Sequence, residues 1–109
     1  MDFISVYIVA ADPTEAERIA AALVEERLAA CVNILGAARS IYRWKGAVER
    51  AEEVVLVAKS RTALFDRLTE RVRALHSYET PAIVAWPIVA GDPSYLGWIE
   101  SETEASAPV

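Results

Sequence analysis

Cysteine and histidine are almost missing from this chain, which carries one of each in 109 residues. A lone cysteine excludes an internal disulfide framework and a paired-cysteine metal knuckle. The lone histidine stands at no spacing from serine or cysteine that argues for a nucleophilic triad. The four glycines are isolated, so there is no phosphate-cradling loop. Positive charge is also scarce. Eleven Lys and Arg stand against sixteen Asp and Glu, a net charge of −5, and the basic residues are scattered. That argues against a nucleic-acid partner and against anchoring on an anionic membrane. No apolar run approaches the roughly 20 residues needed to cross a bilayer. Met1-Asp2-Phe3-Ile4 lacks the basic region and cleavage pattern of a secretory leader. The expectation is a soluble, cytosolic protein with one domain over residues 1–109. The acidic excess suits cation binding, although surface carboxylates more often serve solubility.

What is present is an ample core, with 54% hydrophobic residues. Residues 3–10 form an apolar, partly β-branched run and predict a strand. Asp12-Pro13-Thr14-Glu15 supplies an N-cap, a proline at the first helical position and a capping-box glutamate. Ala16, Ile19, Ala20, Leu23, Val24 and Leu28 then recur at helical spacing. A second strand is predicted from about Ala30 to Trp44, bent at Gly36-Ala37-Ala38, and a third over 48–59. Ser60 is expected to cap a second helix, whose stripe is Leu64, Phe65, Leu68, Val72 and Leu75. Residues 76–81 read as a loop and 82–89 as a fourth strand, with Pro87 pointing to an edge. Asp92-Pro93 opens a short last helix, and the tail after Glu102 is expected to fray. The order β-α-β-β-α-β plus a terminal helix is the α+β split βαβ, or ferredoxin-like, pattern.

Two features predict self-association. The strands meeting at Lys45-Gly46 are each near 14 residues, or roughly 45 Å, while a compact chain of this size has a radius of gyration near 13 Å. The hairpin must overhang its own core. In addition, strands one, three and four carry apolar groups on both faces, which a sheet with one face in water does not do.

Each chemistry-bearing residue has a structural reading beside the functional one. Cys31 fits a small buried hydrophobe as well as a soft-metal ligand. His76 can satisfy the last carbonyls of helix two or, beside Tyr78 and Glu79, bind a divalent metal. Glu49, Glu52 and Glu53 read as a solvated face pairing with Arg43 and Arg50, or as a carboxylate cluster for cations. Tyr42, Trp44, Tyr78, Trp86, Tyr95 and Trp98 suit subunit packing or the walls of a ligand cleft. Lys59, closing an apolar strand, either snorkels or meets an anion.

Several segments together resemble the CutA family of divalent-cation tolerance proteins. These are Ala29-Ala30-Cys31-Val32-Asn33, Tyr42-Arg43-Trp44-Lys45-Gly46 with Glu49 and Glu53, Lys59-Ser60, His76-Ser77-Tyr78-Glu79-Thr80-Pro81, and Asp92-Pro93-Ser94-Tyr95-Leu96-Gly97-Trp98. They occur in the family's order over nearly the whole chain. The resemblance implies a ferredoxin-like, PII-like homotrimer with hairpins clasping neighbours, a role in copper tolerance and no required cofactor. Copper ligation in the family leans on a first-strand cysteine and a histidine pair. Here the first position reads Val9-Ala10-Ala11 and the second Leu75-His76, so only His76 carries over.

Three functions follow as expectations. One is a trimer binding divalent cations such as copper or zinc through His76 and Glu79, completed by Cys31 or a neighbour's carboxylate. Another is a PII-like module whose intersubunit cleft holds a small anionic ligand on Lys59, walled by Tyr42, Trp44, Tyr78 and Trp98. The third, an enzyme using His76 and Glu79 as acid and base, has no nucleophile or oxyanion hole to support it, so the chain reads as a non-enzyme.

Overall fold

The computed structural model describes residues 2–104. Its elements run β1 (Phe3–Ala10), α1 (Pro13–Glu25), β2 (Cys31–Trp44), β3 (Ala47–Arg61), a 3-10 turn (Thr62–Leu64), α2 (Phe65–Leu75), β4 (Ile83–Pro87) and α3 (Pro93–Glu102). The strands pair in the order β2-β3-β1-β4, every neighbour antiparallel. This is the expected split βαβ sheet. β4 lies at an edge, as Pro87 required, because proline cannot donate to a ladder on both sides.

Alternation along the strands sorts the side chains. Ile4, Val6 and Ile8 of β1 and Val54, Leu56 and Ala58 of β3 face the helices and form the core with Ile19, Leu23, Leu68 and Val72. α1 starts as its sequence dictates: the Asp12 carboxylate accepts from the Glu15 amide at 2.8 Å. The stripe breaks at its end, where Val24 is exposed and the helix stops before Leu28.

Ser60 is not a helix cap. It is the buried penultimate residue of β3, and its hydroxyl donates to the Leu28 carbonyl at 2.6 Å. α2 begins later, after the 3-10 turn, with no side-chain cap. The tail is held beyond Glu102. Thr103 is buried and accepts from the Arg61 guanidinium at 2.8 Å, and the Glu104 amide donates to the Arg27 carbonyl. The rest of the expected frayed tail, 105–109, lies outside the described residues.

The hairpin overhangs as predicted. β2 and β3 span 14 and 15 residues, and residues 41–50 are all exposed. The long axis of the molecule is 43 Å against a short one of 24 Å. Lys45 and Gly46 both take positive φ, 48° and 84°, the two-residue turn whose twist matches its strands.

The bend in β2 is a β-bulge. Ile34 pairs with Leu56 and Gly36 with Val55, so Leu35 is the extra residue. Gly36 holds φ 107° with open space where a Cβ would stand, so the constraint on it is backbone conformation rather than crowding. Gly36→Ala is expected to cost about 1–3 kcal/mol in urea unfolding. An unchanged midpoint would show that the bulge tolerates an L side chain.

Candidate functional site

The bulge decides which β2 side chains face which way. Before it, Cys31 and Asn33 pair with Lys59 and Val57, on the face away from α1 and α2. An extra residue shifts the parity by one. After it, the even positions Ala38, Ser40, Tyr42 and Trp44 occupy that same face, in line with Glu53 of β3 and with Tyr7 and Val9 of β1. The loop 76–81 folds back over this end of the sheet. Together they enclose a cleft of about 570 Å³ lined by Tyr7, Val9, Tyr42, Trp44, Lys45, Glu53, Tyr78 and Glu79, among others.

A buried hydrogen-bond chain holds the loop in place. Glu15, 3% exposed, sits at the start of α1. Its carboxylate accepts from the Ala11 amide and from the Ser77 amide, both at 2.8 Å. The His76 ring is fully buried, with Nδ1 3.5 Å from Glu15 Oε2. Nε2 lies 2.7 Å from the Val9 carbonyl, and the Tyr78 amide donates to Nδ1 at 3.0 Å. A carbonyl only accepts and an amide only donates, which assigns the proton to Nε2 and leaves Nδ1 bare. The Tyr78 hydroxyl then donates to Glu53 Oε2 at 2.6 Å. Burial and the Glu53 carboxylate push the Tyr78 phenol far above its ordinary range, so it stays a donor. Burial alone would raise the Glu15 carboxyl. The hydrogen bonds from the Ala11 amide and from Ser77 outweigh it and hold the pKa below its usual value.

The expected site residues are thus divided. Tyr42, Trp44 and Tyr78 do line one cleft, and Glu79 is exposed at its wall. His76 stands behind that wall with both nitrogens engaged inside the chain, so it presents no open ring nitrogen to a metal. Cys31 is elsewhere. It is paired with Lys59, four residues along β3 from the Val55 opposite Val9, or about 13 Å. Its Sγ is 3.5 Å from the Tyr95 hydroxyl, a bond that, with burial, pushes the phenol up to about 12. Lys59 donates to Asn33 Oδ1 at 3.4 Å and does not line the cleft. Trp98 packs against Tyr95, with ring centroids 5.6 Å apart. The register sets Glu49 opposite Tyr42 and Glu52 opposite Arg39, so neither faces Arg43 directly. Among the described residues, no group of three or more His, Cys, Asp and Glu could hold a metal ion.

Sequence reasoning missed the work of Glu15 and Ser77. Glu15 looked like an ordinary capping glutamate, and its second partner lies 62 positions away. No local signal marks such a contact.

Known proteins match both the sequence and this geometry. The profile described as CutA1 divalent ion tolerance protein matches residues 4–102. The divalent-cation tolerance protein CutA of Thermus thermophilus is 53% identical over 88 residues, covering 81% of this chain and 85% of its own. A rice relative named Protein CutA 1, chloroplastic is 40% identical over 103 residues, 94% of this chain. The chain spans only 58% of that rice relative's length. The crystal structure of the periplasmic divalent cation tolerance protein CutA from Archaeoglobus fulgidus superimposes with TM-score 0.91 at 42% identity, covering 94% of this chain and 99% of that one. The family is named for tolerance and not for a catalytic activity. With the profile running from β1 to the end of α3 over the same fold, this chain belongs to the CutA1 divalent ion tolerance protein family.

Proposed function

We propose that the protein works as a cytosolic homotrimer that binds divalent cations, with copper and zinc the ions to test. The trimer is supported by the unfinished sheet. On the face away from α1 and α2, Val84 and Trp86 are 49% and 54% exposed, and the hairpin arm shows Ile41 at 67% and Val48 at 57%. Both sheet edges, β2 and β4, carry unpaired backbone groups, which an arm from a second copy can satisfy. No helix among the described residues is long and apolar enough to cross a membrane.

A metal needs more donors than the described residues gather in one place, so its shell would close between subunits. Glu79 is the exposed carboxylate this chain offers at the cleft, and Cys31 or a carboxylate of a neighbouring subunit would complete the set. His76 supports the loop instead. In calorimetric titrations with Cu(II) and Zn(II), Glu79→Gln should weaken binding by about tenfold, the worth of one charge-assisted contact. His76→Ala should keep the affinity and lose about 1–3 kcal/mol of stability. The reverse pattern would return His76 to the metal and remove Glu79.

The cleft favours a second reading, a PII-like ligand module. Its volume of about 570 Å³ lies within the range of pockets for small organic molecules, and far above the needs of a bare ion.

A further inference from the structure

The loop 76–81 is tied down by a histidine whose two nitrogens face opposite kinds of partner. Nε2 meets the Val9 carbonyl at 2.7 Å, which places the ring proton there. Nδ1 accepts from the Tyr78 amide at 3.0 Å, and Glu15 Oε2 lies 3.5 Å from the same nitrogen. A bare nitrogen and a carboxylate oxygen thus stand side by side with no proton between them. The imidazole ring is wholly buried and the Glu15 side chain nearly so.

Imidazole takes up a second proton between about pH 8 and 5. On His76 that proton must go to Nδ1, and it turns an acceptor into a donor. A donor cannot face the Tyr78 N–H. It can face Glu15, and a charge-assisted bond is about twice as strong as a neutral one. Glu15 is able to receive it. Each of its oxygens accepts one amide, Ala11 on Oε2 and Ser77 on Oε1, and each keeps a second lone pair. Burial raises the Glu15 carboxyl, but the Ala11 and Ser77 bonds hold it below its usual value, so it is charged throughout this range. The other groups around the ring offer the proton no rival partner. β1 presents the Val9 carbonyl, already engaged. The loop presents the Tyr78 ring, with centroids 4.8 Å apart, and its hydroxyl is bonded to Glu53 of β3. β2 contributes the Tyr42 phenol beyond Tyr78. Arg73 in the last turn of α2 and Glu79 further along the loop are both exposed.

We propose that His76 is a proton-operated latch on the loop 76–81: neutral, it holds the Tyr78 backbone, and protonated, it turns to Glu15 and lets that backbone go. The exchange lies inside one chain, behind the cleft wall, and needs neither a ligand nor a second copy. Ser77 stays anchored on Glu15 and the Tyr78 hydroxyl on Glu53, so the release is local.

The test follows the full chain by two-dimensional NMR from pH 8 to 5, reading the His76 ring and the backbone amides. The ring and the Tyr78 amide should titrate with one midpoint. Hydrogen-exchange protection of the Tyr78 amide, corrected for the intrinsic effect of pH, should fall about three- to tenfold across it, the contribution of one hydrogen bond. The Ala11 and Ser77 amides should keep theirs. Glu15→Gln removes the charged acceptor, so His76 should hold its proton about tenfold more weakly; a Glu15 that served only the two amides would leave it unchanged. His76→Gln keeps an acceptor and a donor without a titrating group, and the Tyr78 response should vanish. The parent titration decides alone if either variant fails to fold. A Tyr78 amide that keeps its protection while His76 titrates overturns the latch. So does a His76 that stays neutral down to pH 5, and so does a Tyr78 response that survives His76→Gln. Loss of protection shared at the same pH by the amides of β1 and β3 overturns it too, because that is global unfolding.

Discussion

Trp86→Asp is expected to dissociate the proposed trimer. Trp86 lies on β4 on the face away from α1 and α2, with its ring edge-on to Tyr7 at 5.6 Å. Beside it on that face is Val84, opposite Tyr7, and β3 adds Val55 and Val57. In the proposed trimer this patch would lie between subunits, where tryptophan is the typical anchor. An aspartate there must be desolvated without a partner, at about 3–5 kcal/mol per subunit. A loss of that size weakens association by roughly a thousandfold. Sedimentation velocity at micromolar concentration should show the parent as a trimer and the variant as smaller, partly unfolded species. A variant that still sediments as the trimer would clear Trp86 from the interface. A parent that stays folded as a single chain would remove the trimer itself.

Glu15→Ala should produce the largest loss of stability from any polar position. It strips the acceptor from two amides, Ala11 and Ser77. Two orphaned amides cost about 1–3 kcal/mol each. Summed, this lowers the melting temperature by about 10–20 °C at the usual scaling for small domains. The pH dependence has a definite sign. The native carboxyl titrates below its unfolded value. Its contribution is therefore complete above the unfolded pKa, near 4.5, and is lost as pH falls through the native one. Glu15→Gln should flatten this acid limb of the stability curve. A variant and parent that lose stability in parallel between pH 5 and 3 would show that Glu15 is not the group responsible.

Much of the fold was legible because its signals are local. Asp12-Pro13 and Asp92-Pro93 each cap the helix they announce, through amides three residues on. Lys45-Gly46 turns the hairpin, and Pro87 falls on an edge strand. Ser60 failed as a cap because a serine ahead of an apolar stripe looks the same whether or not the strand has ended. Its hydroxyl had a better partner at Leu28, 32 positions away. β4 ran shorter than its apolar stretch: the paired residues end at Pro87, and beyond it the Ile88 amide still donates to the Phe3 carbonyl. The surroundings of His76 were hidden for a related reason. Sequence shows that an imidazole lies near a glutamate, but not that a carbonyl and an amide occupy its two nitrogens.

By itself the sequence determined the order of strands and helices, the overhang and the doubly apolar sheet, because periodicity, turn chemistry and length act between near neighbours. The tertiary structure alone decided what shares a wall. A single extra residue at Leu35 turns Tyr42 and Trp44 onto the face of Glu53, and the loop from α2 brings Tyr78 to the same carboxylate. Lys59 and Trp98, aromatic and charged like the rest, were left outside, because register and packing set their distance from the cleft where residue type could not.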